Sequence, residues 1–218
     1  MTGISTQVVH IPVAISARHV HLTQASIECL FGPRHQLHVR RALMQPGQFA
    51  AEETVTLIGP KERLTHVRIV GPPREADQVE LSRTDALQLG VDAPLRPSGE
   101  LDRSPGLIVA GPVGCVTLPS GVILAQRHIH MSPADAACLG LCNRETVRVT
   151  IDVPGRALTF DDVIVRVSPD FRLELHLDTD EGNAAGLQAG DEGLLVTPVR
   201  LPGRVQRITR EYGWPDSQ

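Results

Sequence analysis

Arg18-His19-Val20-His21-Leu22-Thr23-Gln24-Ala25 returns 109 positions later as Arg127-His128-Ile129-His130-Met131-Ser132-Pro133-Ala134. The shared pattern is Arg-His-x-His-apolar-hydroxyl-x-Ala. Each copy follows an apolar run, Val8 to Ile15 before the first and Val122 to Ala125 before the second. Each precedes a helix start. Ser132 can accept from first-turn amides, and Pro133 suits the first helical position, where its missing N–H is no loss. Thr23 is the matching cap. The motif therefore reads twice as strand, His-x-His, short helix. On a strand, residues i and i+2 face one side, about 6.6–6.8 Å apart, so two imidazoles can converge on one metal ion. A single such pair is as readily two surface or core histidines; the repeat with its flanks favours metal binding.

The 218 residues suit one large domain or two small ones, and the spacing of the two motifs favours two related halves. Hydrophobic content of 41% with 21% charge fits a globular protein. A formal net charge of -4 supplies no bulk attraction for nucleic acid, and 3% aromatics argues against base-stacking platforms. The core must rest on Val, Leu, Ile and Ala. The first apolar run is broken by His10 and Pro12 and lacks a basic leader, and no apolar stretch is long enough for a bilayer. The expectation is a cytoplasmic protein with no membrane or nucleic-acid partner. Cys29, Cys115, Cys138 and Cys142 are then thiols. Cys138-x-x-x-Cys142 lacks the paired second half of a metal site.

Around the motifs lie many short strands with regular turns, the pattern of a mainly β protein built as barrels or sandwiches. Thr54 to Ile58 and Val67 to Val70 form a hairpin across Gly59-Pro60-Lys61-Glu62-Arg63, which holds the only lysine. Gly71-Pro72-Pro73-Arg74 is a stiff turn carrying one arginine. Val79-Glu80-Leu81 is a short strand, followed by a helix capped at Ser82 and ended at Gly90. Pro94 to Gly106 reads as the connection between halves, and His35-x-x-His38 as an exposed polar loop. Leu173 to Leu177 is a further strand. Asp178 to Asn183 reads as a polar loop ahead of a helix ending near Gly190, and 201–218 as a tail. No Gly-x-Gly-x-x-Gly follows a strand and no P-loop is present.

Taken in order, several stretches resemble the microcompartment-type phosphate acyltransferases, whose best-known member is the phosphate propanoyltransferase of propanediol use. They are Ser16-Ala17-Arg18-His19-Val20-His21-Leu22, Gln45-Pro46-Gly47-Gln48-Phe49-Ala50, Gly59-Pro60-Lys61 and Gly71-Pro72-Pro73-Arg74. They continue with Gln78 to Ala86, Arg127-His128-Ile129-His130-Met131 and His176 to Ala184. The resemblance spans about Pro12 to Val196. It implies two small related β-barrels capped by short α-helices, with the first strand crossing over. Residues 7–17 would join 126–200 in one barrel and 18–125 would form the other, with a dinuclear zinc site between them. It implies transfer of a short acyl group between coenzyme A and inorganic phosphate, and a homodimer.

By motif, the resemblance assigns one zinc to His19, His21 and Glu80 and the other to His128, His130 and His176. Zinc takes imidazole at about 2.0–2.1 Å, and catalytic sites keep about three protein ligands and an open position. The alternative readings are Glu80 as a solvated carboxylate and His176 as a buried structural histidine. Phosphate falls to Arg74, whose planar fork matches its oxygens. Coenzyme A falls to Ile15, Ser16, Ala17, Lys61, Arg68 and Asn183. Arg18 and Arg127 should face away from the ligands. Gly182 departs from the alanine expected of many relatives. Encapsulated members carry an amphipathic helix ahead of the first strand. The nine or so polar residues here are too few for one, so a free cytoplasmic enzyme is expected, with a microcompartment lumen as the alternative. Rival readings are a two-metal hydrolase acting on a thioester, and a zinc-stabilised scaffold without activity.

Overall fold

A computed structural model of the chain describes residues 6–188 and 190–198; the tail expected over 201–218 lies outside them. The described residues divide into two units. Unit one takes residues 6–14, 128–176 and the described part of 184–198, and unit two takes 15–127 and 177–183.

Unit one holds a closed six-stranded barrel. Its strands are β1 (Thr6–Ser16), β11 (His128–Met131), β12 (Thr146–Ile151), β13 (Leu158–Val167), β14 (Glu174–Asp178) and β15 (Glu192–Pro198). They run in the order β1-β14-β11-β13-β12-β15. β1 lies antiparallel along β15 from Thr6↔Pro198 to Pro12↔Glu192, which closes the ring. Strand alternation sends Ile11, Ile129, Val149, Val163, Val165, Leu175 and Leu195 inward, all fully buried.

Unit two is built on β2 (His19–His21), β3 (Val39–Ala42), β4 (Phe49–Ile58), β5 (Arg63–Gly71), β6 (Gln78–Leu81), β7 (Leu95–Arg96), β8 (Leu107–Ala110), β9 (Cys115–Leu118) and β10 (Val122–Ala125). Two barrels were expected; this one is not closed. Its strands form an open sheet in the order β7-β10-β6-β2-β5-β4-β8-β9, with β3 on β4. The reason is strand length. β1 has 11 residues and reaches both β14 and β15. Its counterpart β10 has 4, pairs with β6, and ends on the two-residue β7. Among the described residues, no strand joins β7 to β9. The apolar face packs under α1 (Gln24–Phe31) and α2 (Arg83–Leu89), where Val20, Leu57, Ile69, Val79 and Leu81 meet Ile27, Leu30, Ala86 and Leu89.

The strand ahead of each His-x-His runs in the opposite unit from that motif. β1 borders β14 in unit one before the chain enters β2, and β10 borders β6 in unit two before the chain enters β11. The halves also share an irregularity. Pairing of β4 with β5 slips between Val55 and Leu57 opposite His66, and pairing of β12 with β13 slips between Val147 and Val149 opposite Asp162. Both bulged residues have left-handed backbone, φ 57 and φ 56.

Two further expectations need correction. Pro94 to Gly106 is not a connection between halves: it supplies β7 and contacts β6 within unit two. Asp178 to Asn183 is mostly helix, α4 (Thr179–Ala185), ended by Gly186 in left-handed backbone. Its acidic run starts the helix. Asp178 Oδ1 accepts from the Glu181 N–H at 2.8 Å, and Glu181 Oε2 accepts from the Asp178 N–H at 3.0 Å, a reciprocal cap. α3 (Pro133–Leu139), the helix after the second His-x-His, is capped by Ser132 as expected.

Candidate metal centres and active site

The register places a third ligand opposite the first histidine in both units. β2 lies antiparallel to β6 with His19↔Glu80, Val20↔Val79 and His21↔Gln78. β11 lies antiparallel to β14 with His128↔His176, Ile129↔Leu175 and His130↔Glu174. Val20 and Ile129, between the histidines, are fully buried in their cores. Directly opposed residues share a face with close side chains, so each His-x-His gains one donor from its neighbour strand. In each trio, one ligand atom per residue lies within 4.8 Å of the other two.

In unit two, Nδ1 of His19 lies 2.9 Å from the Ala17 carbonyl and Nδ1 of His21 lies 3.0 Å from that of Val70. Only a protonated Nδ1 can donate there, so in the neutral ring Nε2 carries the lone pair. Both Nε2 atoms face Glu80, at 3.4 Å for His19 and 3.8 Å for His21. Burial, then the charge of His19, lowers the His21 pKa to about 3, and the Arg74 guanidinium acts in the same direction. His21 is thus neutral at neutral pH. Two lone pairs and a carboxylate meet with acceptors turned inward, an arrangement that a cation satisfies. A tetrahedral zinc with bonds of about 2.0–2.1 Å has ligand–ligand edges of about 3.3–3.4 Å, close to the spacing of His19 and Glu80. The residues fit the metal.

Glu80, only 7% exposed, is held from behind. Its Oε1 accepts from Gln78 Nε2 and, at 2.7 Å, from Ser98 Oγ. Gln78 is itself fixed by the Gly99 N–H donating to Oε1 at 2.9 Å. Unit one places a carboxylate at the corresponding position. Glu174, in the register position of Gln78, brings Oε2 to 2.9 Å from His176 Nε2. The anionic ligand has an amide and hydroxyl behind it; the imidazole ligand has a carboxylate. The His128 and His176 rings lie parallel with centroids 4.9 Å apart, and His130 stacks on Phe171 at 4.0 Å.

The motif arginines point away from the ligands. Arg18 reaches Asp85 at 2.9 Å and Arg127 reaches Glu181 at 2.8 Å. Each of these acids lies five residues beyond the third ligand of its motif, in the first turn of the following helix.

Arg74 and the other expected substrate residues all fall in unit two. The Arg74 N–H donates to the Leu22 carbonyl at 2.9 Å, tying its turn to the end of the His-x-His segment. With Pro73, Gln78, Gly99 and Leu101 it lines a cavity of about 550 Å³. Lys61 is exposed, and its stem crosses the end of α2, where a Cβ on Gly90 would fall 2.6 Å from Lys61 Cγ. Arg68 is half-buried and donates to the Ala51 and Glu52 carbonyls at 2.9 and 2.7 Å. Ile15, 41% exposed, ends β1 with half-buried Ser16, and exposed Ala17 follows. Asn183 is exposed on α4. A Cβ on Gly182 would sit 2.9 Å from Ile15 Cδ1.

Sequence reasoning overlooked Gln78, Ser98 and Glu174 as supports. Gln78 and Glu174 each precede a ligand by two positions on a strand, a readable signal of a shared face; Ser98 sits in a Pro-Ser-Gly run that reads only as a loop. A third trio, His35, His38 and Glu53, also assembles.

A family model described as phosphate propanoyltransferase matches residues 12–188. The chain belongs to that family. The phosphate propanoyltransferase of Salmonella typhimurium is 54% identical over 176 residues, covering 81% of this chain and 83% of its own. That of Thermotoga maritima is 50% identical over 179 residues, covering 82% and 85%, and that of Klebsiella pneumoniae is 54% identical over the same shares. Membership makes the chain an acyltransferase.

Proposed function

We propose that this chain exchanges a short acyl group between coenzyme A and inorganic phosphate, using two zinc-class ions held by His19, His21 and Glu80 and by His128, His130 and His176. The observation that carries the reading is the shared register of the two trios, each with three ligands, in a member of an acyltransferase family. Ions so bound supply Lewis acidity toward the acyl carbonyl and neutralise phosphate charge. The protein's own part is positional. Arg74, held by the Leu22 carbonyl at the edge of a cavity, binds phosphate as a bidentate donor and orients one oxygen. That oxygen attacks the thioester carbon, a C–O bond forms, the C–S bond breaks, and coenzyme A leaves as thiolate. No side-chain nucleophile is required, because phosphate is one and positioning supplies much of the rate. Lys61 and Arg68 bind the nucleotide phosphates as cations, Asn183 offers an amide, and Ile15, Ser16 and Ala17 line the path along the end of β1.

The test is release of coenzyme A thiol from acetyl- and propanoyl-CoA by zinc-loaded protein, with and without phosphate. Thiol release that requires phosphate and yields acyl phosphate is expected. Arg74→Ala should lower kcat/KM for phosphate by about 10²-fold or more, the loss of a charged bidentate contact. Equal thiol release without phosphate would instead identify a hydrolase.

A further inference from the structure

The third trio is independent of the reading above. His35 follows α1 beyond Gly32-Pro33, His38 leads into β3, and Glu53 lies on β4. The Oε1 of Glu53 lies 2.8 Å from His35 Nε2 and 2.7 Å from His38 Nδ1. Both oxygens of the carboxylate also accept from the His38 backbone N–H, at 3.2 and 3.1 Å. Side-chain exposure is 7% for Glu53, 23% for His35 and 68% for His38. A nearly buried carboxylate is thus fixed by backbone and flanked by two imidazoles, one of which opens to solvent.

We propose that His35, His38 and Glu53 form a further zinc-binding site, distinct from the two His-x-His trios. The donor set is two imidazole nitrogens and one carboxylate oxygen, the set that zinc takes in tetrahedral sites with a fourth position for water. The Glu53 carboxylate, 7% exposed and held by the His38 N–H, is fixed in place between the two rings, and a divalent ion would bind it together with the facing nitrogen of each ring when that nitrogen carries no proton.

The geometry requires only a small opening. Ligand separations must grow from 2.7–2.8 Å to about 3.3 Å. The exposed His38 ring can swing to open its own separation, and the His35–Glu53 separation must widen by about 0.5 Å as well. His35 stacks on Phe31 with centroids 5.0 Å apart, and its carbonyl accepts from Gln24 Nε2 at 2.8 Å. Glu53 is anchored by the His38 amide. Entry is from solvent past His38, where the fourth position also lies. An ion there clips the segment leaving α1 to the β3–β4 pair.

The test is a zinc titration of the full chain against a chromophoric chelator. The parent should bind one equivalent more than Glu53→Gln and one more than His38→Gln. The His38 ring is exposed, so its substitution does not endanger folding, and phosphate-dependent transfer should be unchanged in it. His19→Gln and His128→Gln should retain the extra equivalent. Equal zinc in the parent, Glu53→Gln and His38→Gln would overturn the proposal. So would loss of the extra equivalent only with His19 or His128. Failure of the acyl-transfer reading would appear in the thiol assay and leave this difference intact.

Discussion

Replacing Gln78 by Leu should loosen the metal proposed for His19, His21 and Glu80 without changing a ligand. The change removes the amide that donates to Glu80 Oε1 and the acceptor of the Gly99 N–H. Ser98 Oγ still donates to Glu80. Partners of this kind are worth about 10–100-fold in metal affinity, or about 1.4–2.7 kcal/mol. The Gly99 N–H loses its acceptor as well, but Gly99 is exposed and water can take the acceptor's place, so this adds little to the folding cost. Competition with a chromophoric chelator should therefore show one zinc weakened 10–100-fold while the zinc of unit one keeps its affinity. Glu174→Gln should produce the mirror result, weakening only the unit-one ion, and as an isosteric change it leaves packing intact. A thermal scan with metal removed checks that the Gly99 effect is small. Unchanged zinc affinity in both variants would refute the idea that the register partner of the second histidine orients the third ligand.

Metal removal should lower the thermal midpoint and abolish transfer, with both restored by zinc; retention of full activity after verified depletion would refute a metal role. Metal-free protein should lose stability in acid. His21 has a folded pKa of about 3 against about 6.5 unfolded, so the unfolded chain binds more protons between those values. Stability then falls as pH drops from about 6.5 toward 3, by up to about 1.4 kcal/mol per unit, and denaturant midpoints of the parent and His21→Gln should diverge in that window; parallel curves would refute this. Gly182→Ala should gain up to about 1 kcal/mol from helix propensity, offset by the Ile15 Cδ1 contact, whose flexible end can move. Its signature is an altered KM for acyl-CoA at nearly constant kcat, and a kcat loss at constant KM would count against Ile15 as a substrate contact.

The four motif histidines were legible as one-faced pairs because the doubled motif specifies strand and face, and strands obey a two-residue period. Glu80 and His176 became intelligible only through register, since nothing local tells which strand lies beside a His-x-His. The resemblance supplied what periodicity could not. Closure of the second sheet was misjudged for a related reason: short strands such as β7 and β10 look alike in sequence whether they complete a ring or end an edge. Ser98 was hidden in a Pro- and Gly-rich run that reads as linker. Glu53 was hidden because its partners come from a loop and a strand start, joined only by the β3–β4 pairing. The helix of Thr179–Ala185 was shifted because Asp178 and Glu181 cap each other, and an acidic run has the composition of a loop.

The exchange of leading strands has a consequence for how the protein is made. β1 leaves the ribosome well before its neighbours β14 and β15, which lie at Glu174–Asp178 and Glu192–Pro198. That stave must wait until β14, more than 150 positions later, has been made before it is housed. Such distant pairing slows assembly and leaves an apolar ribbon open to stray association in the meantime. Newborn chains stalled before β14 should therefore be the sticky ones.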